Sequence, residues 1–164
     1  MSTYPGHGPG MPGLGPEEQT ASRKFLTNTV HMVKRGAKID ADSVDDGNTD
    51  VHPTVDGGTG KTTTLRAGMV LVQVVSGPNA GKYVPHSHAD CPDDGDIEAA
   101  GILMGYTNML GANREAEDQP GELLIHGFVR ESLVLFGEDA DAGFIAAVKD
   151  VLPLIQWEAD VPQP

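Results

Sequence analysis

Met69 to Val75, MVLVQVV, is the most apolar and most β-branched run of the chain, with one polar residue, Gln73. It predicts a strand buried on both faces, too short to span a membrane. Shorter signals lie around it. Phe25 to Val33, FLTNTVHMV, alternates with Leu26, Val30 and Met32 on one face and predicts an extended strand. The turn Ser76–Gly81 leads into Lys82–Tyr83–Val84, a second strand. Ile97 to Tyr106, IEAAGILMGY, predicts a strand with a glycine bend. Glu122 to Phe136 supplies one or two strands, with Leu123, Ile125 and Val129 on one side and His126 and Arg130 on the other. The one predicted helix is Glu138–Val151, where Phe144, Ile145, Val148, Val151 and Leu152 recur at helical spacing and Pro153 stops it. Leu154 to Trp157 is a short last strand.

These elements predict a mainly β, β-rich α+β fold. The domain runs over residues 52–157, with one minor helix and an extended N-terminal arm. Residues 1–21 read as a flexible tail, since Met1–Pro16 alone holds five glycines and four prolines. Residues 22–51 read as an extended basic arm and an acidic linker, and 158–164 as a polar C-terminal tail.

Composition sharpens this picture at one place. The net charge is −13, yet residues 22–38 carry Arg23, Lys24, Lys34, Arg35 and Lys38 and no acid. Two readings follow. The segment is an edge strand of the domain with a solvated basic rim, or it is an arm that adds to the sheet of an acidic neighbour. On the second reading the contact residues are Phe25, Leu26, Val30, Met32, Lys34, Arg35 and Lys38. The acidic remainder argues against nucleic acid as a partner. No apolar run has the length of a membrane helix, no basic-then-apolar leader pattern opens the chain, and a single cysteine, Cys91, allows no internal disulfide.

Candidate chemistry is weak throughout. Asp42–Gly47 and Asp90–Gly95 both suggest calcium loops, but the twelfth positions are Pro53 and Gly101 where a bidentate Glu is needed. Both are read as solvated turns. Gly57–Thr63 resembles a phosphate loop, with Lys61 and Thr62 as its candidate ligands. It follows an acidic proline-containing loop and precedes a strand, whereas phosphate binding needs a helix N-terminus after the loop. His86, His88 and Cys91 fall short of the four ligands of a zinc site. No nucleophile–base pair stands out, so neither enzyme activity nor a cofactor or metal is expected.

The order Leu65-Arg66-Ala67-Gly68 plus strand, Gly81-Lys82-Tyr83, Ala99–Leu103, His126-Gly127 and a late helix followed by an apolar strand resembles the phage head decoration proteins of the lambda-type capsid-cementing family. The resemblance spans Thr62 to Trp157 and rests on packing motifs rather than catalytic ones. It implies a small β-barrel or β-tulip-like domain, and a structural protein on the outer surface of the virion head. There it would form homotrimers and bridge neighbouring subunits of the major capsid protein, with no metal, nucleic acid or membrane involved. The acidic spacer and the Gly/Pro-rich arm depart from the family pattern. Rival readings are a nucleotide-binding protein using the Gly57–Thr63 loop and a displayed receptor- or glycan-binding module. Eight aromatic residues (Phe, Trp and Tyr) leave little material for a sugar platform.

Overall fold

Val70, Leu71 and Val72 are each no more than 1% exposed, as the unbroken apolar run requires. They lie in a computed structural model that describes residues 25–27, 29, 31–48 and 63–159. The 1–21 tail, Val30, the loop residues 57–62 and residues 160–164 lie outside the described residues.

In chain order the strands are β1 (Val33–Ile39), β2 (Thr64–Leu65), β3 (Val70–Gln73), β4 (Tyr83–Val84), β5 (Ala100–Leu103), β6 (Thr107–Asn108), β7 (Gln119–Arg130) and β8 (Ile155–Glu158). The helix α1 is Ala142–Val151. β3 sits between β4 and β5, antiparallel to both. β5 pairs with β7, β7 with β1, and β1 returns to β4 at Ile39↔Tyr83. The result is a closed five-stranded barrel with one helix, a mainly β fold. β8 runs parallel to the second half of β7, while β2 and β6 form a separate small ladder.

Alternate residues of each strand feed two cores. Ile39, Met69, Leu71, Tyr83, Leu103 and Leu123 fill the barrel. Val70, Val72, Val84, Ile102 and Leu124 face outward onto Phe144, Val148 and Leu152 of the α1 region. This is why β3 shows no polar alternation: both of its faces are interior. A five-stranded barrel leaves little room inside. A Cβ at Gly101 would stand 2.6 Å from Leu123 Cβ, closer than packing permits. Gly68 has φ 91°, a conformation that costs a β-carbon residue energy. There its N–H donates to Leu103 O and its carbonyl accepts from Leu135, tying the entry of β3 to two other segments.

The helix starts later than its apolar stripe suggested. Asp141 is the N-cap, accepting from the Phe144 N–H at 2.9 Å, so Glu138 and Asp139 precede the helix. β7 also departs from simple alternation. Leu123 points into the barrel, whereas Val129 lies in the outer core, because the strand changes partners from β1 and β5 to β8 and residues 25–27.

The largest correction concerns residues 22–51. The described part of that span, residues 25–27, 29 and 31–48, packs into the barrel domain rather than standing outside a domain that starts at 52. β1 closes the barrel, and Phe25 and Leu26 are 2% and 9% exposed in the outer core. The expected strand at Phe25–Val33 is also displaced. Leu26 makes one bridge to Val129, His31 has φ 61°, and the regular strand begins at Val33 and runs through the basic residues. Apolar alternation misled here because Phe25 and Leu26 act as a plug, while most of β1 is exposed and needs no apolar face.

Candidate functional site

Ile39 is buried inside the barrel, and the next residue, Asp40, is only 3% exposed. A carboxylate at that depth must be paired. Its side-chain partners, Lys82 and His88, come from two other segments, and Asp118 from a third shares Lys82. Lys82, just before β4, lies 2.7 Å from Asp40 Oδ1 and 3.0 Å from Asp118 Oδ1. Asp118, just before β7, also accepts the Ala41 N–H at 2.9 Å and meets Lys38 at 2.9 Å. His88, in the loop after β4, places Nε2 3.0 Å from Asp40 Oδ2. Its Nδ1 accepts the Asp90 N–H, so the ring proton sits on Nε2 and is donated to Asp40.

The electrostatics follow from this geometry. The Lys38 bond is the largest influence on Asp118; burial opposes it, and Lys82 and the Ala41 amide add to it. Together they hold the Asp118 carboxyl at about 2. Burial is the largest single influence on Asp40 and pushes its pKa up. The Lys82 bond, the Asp42 amide, the Lys82 charge and the neighbouring His88 ring outweigh it, so the net direction is down. Lys82 is raised, first by Asp40 and then by Asp118.

A second clamp lies one turn further along. Asp45, buried, takes the Arg66 guanidinium in both oxygens at 2.7 and 2.9 Å and the Arg66 N–H at 3.1 Å. Asn48 Nδ2 donates to Thr64 O. Asp40 to Asn48 is therefore fastened to the barrel at both ends, where a solvated acidic spacer was expected. Every acid of the two clamps is met by a cation or an N–H, which is the arrangement of a fastening rather than of a free general base.

The sequence-derived contact set is split by the fold. Phe25 and Leu26 are core residues, and Met32 is half-buried against that core. Phe25 and Leu26 are occupied by the protein's own core, whereas the expectation made them partner contacts. Lys34, Arg35 and Lys38 lie exposed on β1; Lys34 pairs with Glu122 at 2.8 Å and Lys38 with Asp118. His86 packs its ring 4.2 Å from Phe144, His88 serves Asp40, and the Cys91 thiol contacts Pro92 O. Among the described residues no group of three His, Cys, Asp or Glu side chains is placed to hold a metal. Thr63, the last residue of the glycine-rich loop, leads into β2 and not into a helix. No helix among the described residues is long and apolar enough to cross a membrane.

A cleft of about 400 Å³ lies between residues 44–47, Arg66, residues 85–87 and residues 134–140. Met69, Phe136 and Ile145 give it an apolar floor, and Asp46, His86 and Glu138 a polar rim. Sequence reasoning missed both clamps, and no motif spacing could have found them, because each joins segments far apart in the chain. The chain matches no family model, no curated protein and no solved structure.

Proposed function

We propose that the protein is a structural phage head decoration protein, which binds the outer surface of the capsid and bridges neighbouring major capsid subunits as a homotrimer. The observation that carries this reading is the ordered set of motifs that resembles the lambda-type family. Four of the five motifs coincide with packing elements: the Gly68 entry to β3, the Gly81-Lys82-Tyr83 step into β4 and the Ala99–Leu103 run that holds β5, all in the barrel, and the α1–β8 ending packed beside it. Such motifs serve architecture, which suits a cement protein. The fastened 40–48 segment and the second core under α1 also suit a part that must stay folded while under load. Of the expected capsid contacts, Lys34, Arg35 and Lys38 are accessible for this role.

The test is to add the purified chain to expanded, undecorated heads of its candidate major capsid protein and to measure co-sedimentation, capsid melting and cryo-EM density. Saturable binding with added density at three-fold positions and a raised capsid melting temperature is expected. Absence of binding, or a nucleotide-dependent rise in the protein's own melting temperature that Lys61→Ala removes, would overturn the reading.

A further inference from the structure

β1 is a seven-residue strand with one full edge. Along β7 it pairs at every residue from Val33 to Ile39. On its other edge the only pairing among the described residues is Ile39↔Tyr83, with the Asp40 N–H donating to Tyr83 O. Backbone groups alternate between the two edges of a strand. Asp40 N–H points to the β4 edge, and Ala41 N–H points to the β7 side, toward Asp118. By that alternation the N–H and C=O of Lys34 and Gly36 point to the edge that β4 leaves open. Val33 to Gly36 and Lys38 are exposed, and a Cβ at Gly36 would meet nothing within 4 Å.

The charge of this edge is as distinctive as its geometry. Lys34, Arg35 and Lys38 stand within five residues, with no acid on the strand, in a chain of 24 acids and 11 Lys and Arg. Two of the three reach back to Glu122 and Asp118, while Arg35 makes no ion pair among the described residues. A second copy of β1 is a poor mate, since side-by-side pairing would set like charges against one another. Lysines on an edge repel other basic or neutral strands and favour one that carries acids.

We infer that the open edge of β1 is a docking surface for an extended acidic segment of a partner protein, which it takes up as an added strand. Backbone bonds at Lys34 and Gly36 supply the ladder, and Arg35 with its neighbours selects acidic side chains. The inference rests on the strand edge and needs no capsid, so it stands or falls separately from head binding.

The probe is a capped ten-residue peptide of alternating glutamate and valine, labelled for fluorescence anisotropy and mixed with the full chain at low salt. Two controls accompany it: the same peptide N-methylated at alternate residues, which keeps its charge but loses one edge of donors, and a lysine–valine counterpart. The glutamate–valine peptide should bind and protect the Lys34 and Gly36 amides from hydrogen exchange, while both controls should not. Gly36→Pro removes an outward N–H, leaves the β7 ladder intact, and should weaken binding by about tenfold. Arg35→Glu, at an exposed position, should weaken it at least as much and provides the test if Gly36→Pro fails to fold. Equal binding of the N-methylated peptide, insensitivity to Arg35→Glu, or no binding of the glutamate–valine peptide would each overturn the inference.

Discussion

Asp40–Asn48 and Ala89–Asp96 look alike as sequence. Each is short, rich in aspartate and contains Asp-Asp-Gly. In the fold they are opposites. Asp40, Ser43, Asp45 and Asn48 are buried, whereas Asp93, Asp94 and Asp96 are exposed on a 3₁₀ turn beside α1. The second stretch makes a solvent-side contact, with Asn79 Nδ2 donating to Asp90 Oδ2 at 2.7 Å. Burial, followed by the charges of Asp94 and Asp93, pushes the Cys91 thiol up to about 11 and keeps it protonated. The first stretch is structural because cations 21 and 42 residues away, Arg66 and Lys82, come to meet it. Whether an aspartate is solvated or structural is thus decided by what the rest of the chain brings to it.

Several changes would break or sharpen that contrast, and the largest removes what anchors the buried stretch. Deleting residues 1–38 takes away β1 and the Phe25–Leu26 plug, a loss on the order of 5–10 kcal/mol and comparable to the whole stability of a small domain. Thermal unfolding should lose its cooperative transition. Next is Asp45→Ala, which removes the carboxylate that holds the Arg66 guanidinium in both oxygens and accepts its N–H, and should cost roughly 2–4 kcal/mol in urea denaturation. The matched change Asp94→Ala in the exposed stretch should stay within about 0.5 kcal/mol.

Acid should loosen the first stretch. The Asp118 carboxyl sits at about 2 in the fold against an ordinary 3.8, and Asp40 is lowered as well. A depressed carboxylate contributes stability that is complete above its unfolded value and is lost as pH falls toward its folded value. The urea midpoint should therefore fall between about pH 4 and pH 2, and Asp118→Asn should flatten that slope. The smallest effect concerns the barrel interior. Tyr83 is buried, and its hydroxyl has no partner among the described residues. Tyr83→Phe should leave the melting point unchanged or raise stability by up to about 1 kcal/mol.

Much of the fold was legible. Val70 to Gln73, the Ala99–Leu103 run and the Phe144–Val148 stripe declare themselves because apolar burial writes its period into the sequence. Residues 33–38 did not, because an exposed edge strand closing a barrel needs neither alternation nor apolar content. Phe25 and Leu26 were visible as apolar residues, but their destination, beside Val129, depends on a contact 100 residues away that no local pattern encodes. The clamps were illegible for the same reason. Asp40 and Asp45 resemble any acid in a polar loop until Lys82, Asp118 and Arg66 are placed around them. Among the described members of the expected contact set, Lys34, Arg35 and Lys38 on β1 are the exposed ones.

The central claim is that residues 40–48 belong to the cooperative core of the barrel while residues 93–96 do not. Native-state hydrogen exchange tests it most directly, by comparing the Ala41 and Arg66 amides, which are held by Asp118 and Asp45, with the Asp96 amide, which is held only by Asp93 within its own turn. Ala41 and Arg66 should exchange only through global unfolding and share the denaturant dependence of Leu71, whereas Asp96 should exchange through local opening with almost none. Fast, denaturant-independent exchange at Ala41 and Arg66, equal to that of Asp96, would contradict the account.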